Sequence, residues 1–260
     1  MRVLSSSRQR ACTASVALIL STIAVGAQRP STAHVARIDS LTRTTWPGPA
    51  FWMIGGSLFV AAALSDQKLE EESLEYRTTT LNTFAHTGNV LGAGRYLLPA
   101  LGLSYLSGVV THQPQLKNGA LHVGAAYLAG NIAGSMLKPA IGRHRPDTTG
   151  SPWRFHAFAS QGAWHSLPSA HTLHAFTLAG AISEEAHRPW VTVATYSAAT
   201  LVGWSRVYAD EHWASDVALS AVLGAAIGHG VVRFLHAHGS PQGNIQVRAG
   251  TAGAEVSVTF

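Results

Sequence analysis

Six apolar segments, separated by more polar stretches, occupy most of the sequence between residues 50 and 235. Each segment is long enough for a helix and longer than the usual strand. The third segment is rich in Ala and Gly, and small residues let neighbouring helix backbones approach closely. The sequence therefore predicts an all-α fold, a bundle of six helices in the segments 50–64, 84–110, 119–137, 169–183, 189–208 and 213–235.

Charged side chains are scarce in this chain. They make up 12% of the residues, whereas hydrophobic residues make up 47%. A typical soluble domain has ~25% charged residues, so the composition favours a protein that contacts or spans a membrane. A weakly charged, Ala- and Gly-rich soluble bundle is the alternative. The first segment has 15 residues, fewer than the ~20 that a membrane span requires, so if one segment does not span, we expect it to be this one.

The N-terminus has the features of a secretory signal peptide. Arg2, Arg8 and Arg10 precede an apolar run at 14–25, and small residues at 25–27 offer a cleavage site. Without this segment the chain has 15 basic and 13 acidic side chains, a net charge of +2 instead of +5, which does not favour nucleic acid as a partner. We expect export to the bacterial periplasm or association with its membrane, and an uncleaved anchor is the alternative.

The C-terminal residues alternate between apolar and polar side chains on both sides of a glycine-containing turn, which predicts a β-hairpin. This hairpin can pack on the helices or against a second copy of the chain, which leaves a homo-oligomer open. The glutamate-rich stretch at 66–77 is expected to be a solvated helix face or loop. The predicted organisation is a signal peptide at 1–27, a loose arm at 28–49, a helical domain at 50–238 and a C-terminal β-hairpin at 244–260.

Three clusters of polar residues lie at the predicted ends of these helices. Each combines basic or imidazole side chains with a helix terminus, and a bundle can bring several termini together. Three cations, two histidines and one carboxylate suit the transfer of a phosphoryl group to a histidine and then to water. The candidate residues are Lys138 and Arg145 in the first cluster, Ser169, Ala170 and His171 in the second, and Arg206, His212 and Asp216 in the third.

Phosphoryl transfer depends mainly on positioning and on stabilising negative charge in the transition state. Lys138, Arg145 and Arg206 supply positive charge, and an arginine can bind two phosphate oxygens at once. The amides of Ser169 and Ala170 lie where the fourth helix begins, and free amides at a helix N-terminus attract anions. The hydroxyl group of Ser169 can add a further donor.

His212 and Asp216 are four residues apart, so they share one face if both lie at the start of the sixth helix. The carboxylate can then accept the Nδ1 proton of the imidazole, which leaves Nε2 free to attack phosphorus. His171 is available to protonate the leaving oxygen and later to deprotonate water. The other histidines, among them His122 and His236, have no spacing typical of metal ligands, and we expect structural or surface roles for them.

The three clusters resemble the three signature motifs of the type 2 phosphatidic acid phosphatase (PAP2) superfamily, through Lys138-x6-Arg145-Pro146, Pro168-Ser169-Ala170-His171 and Ser205-Arg206-x5-His212-x3-Asp216. This superfamily includes lipid phosphate phosphatases, bacterial class A acid phosphatases and vanadium haloperoxidases. The resemblance implies a PAP2-like helical bundle and a phosphatase that works without a metal ion or another cofactor.

The resemblance also implies a role for each candidate residue. Phosphate binding is assigned to Lys138, Arg145, Ser169, Ala170 and Arg206, general acid catalysis to His171, nucleophilic attack to His212, and support of that nucleophile to Asp216. One position departs from the family, because Ala170 stands where Gly is common. An alanine keeps its amide, so the anion contact survives at a negative φ, whereas a positive φ would strain this residue.

The leading functional hypothesis is a metal-independent phosphatase that hydrolyses phosphate monoesters through a phosphohistidine, with a lipid phosphate or a polyprenyl pyrophosphate as substrate. A soluble periplasmic acid phosphatase acting on small phosphate esters is the first alternative. A vanadate-dependent haloperoxidase and a catalytically inactive lipid-binding membrane protein are further alternatives. We expect an extracytoplasmic active site, although six spans after a cleaved signal peptide would place the loop at 147–167 in the cytoplasm.

Overall fold

The computed structural model describes residues 46–146 and 150–238, and the backbone of residues 244–250 and 253–259. The expected signal peptide at 1–27 lies outside the described residues, and so does most of the expected arm at 28–49. A short 3-10 helix, Gly162–Trp164, lies in the loop that precedes the fifth α-helix. The α-helices of the described residues are α1 (Pro49–Glu75), α2 (Thr79–Leu91), α3 (Gly94–Val110), α4 (Pro114–Ile141), α5 (Ala170–Ala186), α6 (Pro189–Tyr208) and α7 (Ala214–His238).

The predicted count of six helices is not confirmed, because the segment at 84–110 forms two helices. The helix is interrupted at Gly92 and Ala93, which connect α2 to α3. A Cβ atom at Gly92 would lie 2.7 Å from Val202 and 3.0 Å from the ring of His171. Only glycine therefore lets the chain pass this close to α5 and α6.

The first helix is much longer than the expected segment at 50–64. It has 27 residues and continues through the glutamate-rich stretch to Glu75. Most glutamates of this stretch are exposed, as expected for a solvated face. The expectation is wrong for Asp66, which is 1% exposed and forms an ion pair of 2.8 Å with Arg143.

Close contacts at glycines define how α5 and α7 pack. A Cβ atom at Gly224 would lie 2.6 Å from the carbonyl oxygen of Leu173, and one at Gly228 would overlap the carbonyl oxygen of Thr177. The later residue of α7 contacts the later residue of α5, so the two helices run parallel, and their backbones are in close contact. Their N-terminal ends therefore lie at the same end of the bundle.

The C-terminal ends of α4 and α6 reach this same end. A Cβ atom at Gly130 would contact Thr177, and one at Gly134 would contact Leu173, so α4 runs antiparallel to α5. α6 follows α5 after residues 187–188 and packs back along it. The bundle thus collects two helix N-termini and two helix C-termini at one end.

A hydrophobic core lies towards the opposite end of the bundle and is shared by α3 to α7. Burying an aliphatic side chain completely stabilises the fold by roughly 1.5–3 kcal/mol, and Val191 and Val232 are buried in this way. The buried residues of this core are Ala100, Leu101, Val123, Ala126, Ala181, Ile182, Val191 and Val232.

Two strands, β1 (Asn244–Gly250) and β2 (Gly253–Thr259), follow the helices. They pair antiparallel, with Asn244 opposite Thr259 and Gly250 opposite Gly253. Packing of these strands on the bundle or on a second copy stays a prediction, and so does the division of the chain into domains.

Among the described residues, α1 and α7 are long and apolar enough to cross a membrane, with 11% and 33% of their apolar windows buried. The argument that the first helix is too short to span is wrong, because α1 continues to Glu75. Its exposed side chains include Met53, Ile54 and Leu64, which are 72%, 71% and 81% exposed. Large apolar side chains at such exposure are typical of a surface that contacts lipid or another protein.

Candidate active site

Four helix termini bring the predicted site residues to one end of the bundle. Lys138 lies near the C-terminal end of α4, and Arg206 lies in the last turn of α6. His171 lies in the first turn of α5. His212 and Asp216 lie on either side of the start of α7. Residues far apart in the sequence are thus gathered by the directions in which the helices run.

Lys138 is a largely buried cation at this site. Its Nζ atom donates a hydrogen bond to the carbonyl oxygen of His165 at 2.7 Å. The pKa of Lys138 is lowered to about 8, mainly by burial and next by the positive charge of Arg145. Arg206 acts in the same direction, whereas the carboxylate of Asp216 opposes it. A lysine in this setting is stabilised in its charged form by an additional anion.

Arg145 and Arg206 converge on a single carboxylate oxygen. Nη1 of Arg145 donates a hydrogen bond to Oε2 of Glu211, and Nη2 of Arg206 lies 3.3 Å from the same oxygen. Nη1 of Arg206 also donates to Oδ1 of Asn89 on α2. Burial raises the pKa of Glu211, but the charges of Arg206 and Arg145 outweigh it and keep the pKa below its ordinary value. These two arginines therefore bind an anionic group between them.

His212 and Asp216 face each other, as their spacing of four residues predicts. Nδ1 of His212 lies 3.7 Å from Oδ2 of Asp216, which is longer than a hydrogen bond. Oγ of Ser166 lies 3.4 Å from Nδ1 of His212 and donates to Oδ2 of Asp216 at 2.5 Å. Burial lowers the pKa of His212, and Asp216 acts in the opposite direction. Ser166 is thus a third member of this arrangement.

A buried network holds Asp216 in place. Nη1 of Arg143 donates to Oδ1 of Asp216 at 2.6 Å, and Nη2 of Arg143 donates to Oδ2 of Asp66 at 2.8 Å. Asp66 also accepts hydrogen bonds from the amide and the hydroxyl group of Ser215, at 2.8 and 2.5 Å. The amide of Trp213, the residue before α7, donates to Oδ2 of Asp216 at 3.0 Å. An acidic side chain in the third position of a helix often accepts this bond from the amide of the N-cap residue. The network ties α1 to the start of α7.

His171 is positioned among positively charged groups. Its pKa is lowered to about 4, mainly by burial and also by Arg206, His212 and His174, while Glu211 acts in the opposite direction. His171 is therefore neutral at pH 7 when no anion is bound beside it. Its imidazole and that of His212 lie close enough to influence each other electrostatically.

The amide of Ser169 is already engaged, so it does not provide the free helix-end donor that the sequence suggested. It donates to Oγ of Ser220 at 2.8 Å. Oγ of Ser169 accepts a hydrogen bond from Thr172 at 3.0 Å, which leaves its own proton to donate. Ala170 is the first residue of α5. Positive φ values among the described non-glycine residues occur elsewhere, so Ala170 is not strained.

Sequence reasoning did not assign a role to several residues of this site. Arg143 and Glu211 lie inside the first and third clusters, so their positions were a usable signal. Ser166 lies two residues before the second cluster. Asp66 and Asn89 lie in distant helices and carry no motif. Arg143, Ser166, Glu211 and Asn89 each contact a predicted site residue. Asp66 contacts Arg143 and is linked to Asp216 through it.

Comparison with known proteins finds one similar family model and one similar curated protein. Residues 119–240 match the model of the PAP2 superfamily. A lipid A 1-phosphatase from Porphyromonas gingivalis is 35% identical over 108 residues, which are 41% of this chain and 21% of that protein. The matched part thus spans about a fifth of that relative's length.

Two solved structures are also similar. The transmembrane PAP2-type phosphatidylglycerolphosphate phosphatase from Bacillus subtilis has a TM-score of 0.58 and 21% identity, covering 74% of this chain and 96% of that chain. Aquifex aeolicus LpxE has a TM-score of 0.48 and 21% identity, covering 65% of this chain and 94% of that chain. The first of these similarities shows that the helical fold is shared.

Proposed function

Residues 119–240 of this chain match the model of the PAP2 superfamily, and from this similarity we propose that the protein is a phosphatase that hydrolyses phosphate monoesters through a phosphohistidine. The observation that carries the proposal is the convergence of Arg145 and Arg206 on one oxygen of Glu211, the residue that precedes His212 in the sequence. A phosphate dianion has more charge and more acceptor atoms than a carboxylate, so it is favoured at this position.

In the first proposed step, Lys138, Arg145 and Arg206 hold the phosphate and neutralise the charge of the transition state. Nε2 of His212 attacks phosphorus, the P–N bond forms and the P–O bond to the leaving group breaks. His171 donates a proton to the leaving oxygen, so that an alcohol departs from a monoester and a polyprenyl phosphate departs from a polyprenyl pyrophosphate. Asp216 and Ser166 lie on the Nδ1 side of His212 and support the positive charge that develops on the ring.

In the second proposed step, water hydrolyses the phosphohistidine. His171, now neutral, accepts a proton as the water oxygen attacks phosphorus. The P–N bond breaks, and inorganic phosphate leaves with His212 restored. The three cations of the protein carry the electrostatic part of both steps.

Binding of the substrate supplies the proton that the first step requires. His171 has a pKa of about 4 in the site without phosphate, so it is neutral at pH 7. A phosphate dianion next to Arg206 adds negative charge beside the imidazole and raises its pKa. We therefore expect His171 to become protonated together with substrate binding.

The substrate that we propose is a phosphorylated lipid, either a lipid phosphate or a polyprenyl pyrophosphate. Exposed aromatic side chains in the loop before α5 support an apolar substrate, since Trp153, Phe155 and Phe158 are 64%, 50% and 81% exposed. This loop joins the site end of α4 to the site end of α5. The relative from Porphyromonas gingivalis acts on a phosphate of lipid A according to its name.

We further propose that the site faces away from the cytoplasm. α1 runs antiparallel to α7, because Gly55 contacts Val222 while Asp66 contacts Ser215. The C-terminal half of α1 therefore lies at the site end. If α1 crosses the membrane, an extracytoplasmic site requires the N-terminal end of α1 to be cytoplasmic, which a cleaved signal peptide would not allow. Protease protection of tags placed at residue 46 and residue 160 distinguishes these arrangements.

The experiment that tests the proposed activity measures phosphate release by purified protein in EDTA, from lipid phosphates in detergent micelles and from a soluble ester. We expect release from the lipid, loss of nearly all activity in His212→Ala, and wild-type activity in His86→Ala, which changes an exposed histidine on α2. Trapping of labelled phosphate on wild type but not on His212→Ala tests the intermediate. Full activity in His212→Ala contradicts the proposal.

A further inference from the structure

A second cluster of polar side chains lies towards the end of the bundle opposite the candidate active site. It combines His122 on α4, Glu185 on α5 and His236 on α7. His122 and Lys138 are on the same helix, and the rise of 1.5 Å per residue separates them by about 24 Å. The cluster is therefore independent of the groups proposed to bind phosphate.

The three side chains meet at one carboxylate oxygen. Nδ1 of His122 contacts Oε1 of Glu185, and Nε2 of His236 lies 3.0 Å from the same oxygen. The two imidazole rings meet edge to face, with their centroids 5.0 Å apart. The two ring nitrogens and the carboxylate oxygen all lie within 4.8 Å of one another.

We propose that His122, Glu185 and His236 bind a divalent transition-metal ion of the zinc type. Two imidazoles and one carboxylate are a ligand set that Zn²⁺ uses, whereas Mg²⁺ and Ca²⁺ prefer oxygen ligands alone. Ligands at 2.0–2.1 Å from a tetrahedral ion lie about 3.4 Å from one another. The distances between the three ligand atoms range from below to above this value. Small side-chain movements would therefore bring the three atoms into tetrahedral positions around an ion.

The surroundings fit a site that an ion can enter. His122 is 3% exposed, while the side chain of His236 is 40% exposed, so the cluster has a buried side and an open side. A Cβ atom at Gly119 would lie 3.6 Å from Oε2 of Glu185, an ordinary contact distance, so the backbone of α4 borders the carboxylate without crowding it. Three protein ligands also leave a coordination position for water or another ligand.

The neighbouring acidic side chain does not belong to this site. Glu184 is engaged by Nδ1 of His229 at 2.7 Å and by Nε of Arg233 at 2.9 Å. A bound ion would link α4, α5 and α7 at one point, beside the hydrophobic core. We therefore expect the ion to stabilise the fold rather than to take part in phosphate chemistry.

The test uses full-length protein without a polyhistidine tag, stripped with EDTA and transferred to chelator-free buffer. We expect one equivalent of Zn²⁺ to bind, one equivalent of Co²⁺ to give the visible absorption of a tetrahedral site, and each ion to raise the unfolding temperature. His236→Ala should weaken binding at least tenfold and abolish the Co²⁺ spectrum. His238→Ala is the matched control, because it removes an exposed histidine from the same end of α7.

His236→Ala and Glu185→Gln are both examined, since loss of the buried His122 can impair folding. Unchanged Co²⁺ binding in both variants, or no binding by the stripped wild-type protein, overturns the proposal and leaves a hydrogen-bonded histidine–glutamate cluster. Phosphate release in EDTA is measured separately, so failure of the metal site and failure of the phosphatase proposal are distinguishable.

Discussion

Nη2 of Arg206 lies 3.3 Å from Oε2 of Glu211, the same oxygen that accepts a hydrogen bond from Arg145. Both arginines are proposed to bind phosphate, so a carboxylate of the protein itself competes with the substrate for them. The Glu211 side chain is 41% exposed, which gives it room to move aside when phosphate enters. We therefore expect Glu211 to regulate substrate affinity rather than to take part in the reaction.

The first prediction concerns Glu211→Gln. Removing the competing charge should lower KM and the inhibition constant for inorganic phosphate by roughly threefold to tenfold, since a partly exposed ion pair contributes about 1 kcal/mol. The turnover number should change little. Steady-state kinetics measure these constants. Glu75→Gln is the control, because it changes an exposed carboxylate at the end of α1. A raised KM would instead indicate that Glu211 orients the arginines.

The second prediction concerns Ser166, which lies between His212 and Asp216. Ser166→Ala removes the hydroxyl group that donates to Asp216 at 2.5 Å and lies 3.4 Å from Nδ1 of His212. Loss of one hydrogen bond to a charged group should lower kcat about tenfold and leave KM nearly unchanged.

A matched control separates this positioning effect from a loss of stability. Ser183→Ala removes a partly buried hydrogen bond, of 2.6 Å to Thr192, at the other end of α5. It should lower the unfolding temperature with little effect on kcat. Equal losses of kcat in Ser166→Ala and Ser183→Ala would argue against a role for Ser166 in positioning His212.

The third prediction concerns the buried network. Arg143 forms ion pairs with two carboxylates, those of Asp66 and Asp216, and both acidic side chains are completely buried. Asp66→Asn removes one of these two charges. Breaking a buried ion pair typically costs 3–5 kcal/mol, and about 3 kcal/mol is expected here because Arg143 keeps Asp216. Thermal or denaturant unfolding measures the loss. Glu75→Gln, on the same helix, should be close to wild type, and equal stability of both variants would contradict this view of the network.

The contrast between Glu211 and Asp66 shows how far the sequence predicts this site. Lys138, Arg206 and His212 were predictable because each lies in a local pattern of residues with fixed spacing. Glu211 lies inside such a pattern, but its partners depend on how a loop folds over two arginines. Asp66 lies 77 residues from Arg143, and its neighbours in the sequence predict a solvated acidic stretch. Only the tertiary packing of α1 on α7 makes it a buried residue.

The same limit applies to the helices and to the second cluster. Hydrophobic pattern and segment length predicted where most helices lie, because these signals are local. The break at Gly92 was not predictable, since it results from the close approach of His171 and Val202. His122 and Glu185 are 63 residues apart, and neither has a spacing that indicates a metal site. Their meeting depends on the antiparallel packing of α4 and α5.

The fourth prediction follows from the pKa of His171, which is about 4 in the folded chain against an ordinary value of 6.5. Between these two pH values the unfolded chain binds a proton at this residue that the folded chain does not. The free energy of unfolding therefore falls as the pH is lowered from about 6.5 to about 4, and this contribution is constant above that window. His171→Asn removes it, so the unfolding temperature of this variant should depend less on pH. A difference of about 2–4 °C corresponds to 1 kcal/mol for a chain of this size.

Inorganic phosphate gives this prediction a second measurement. A phosphate bound between Arg145 and Arg206 adds negative charge near His171 and should raise its pKa, so phosphate should reduce the pH dependence of the wild-type unfolding temperature. It should have no such effect on His171→Asn, and His86→Ala should behave as wild type. If phosphate changes the pH dependence of wild type and His171→Asn equally, then the proton that accompanies phosphate is not held by His171. The role of general acid would in that case pass to another group near His212.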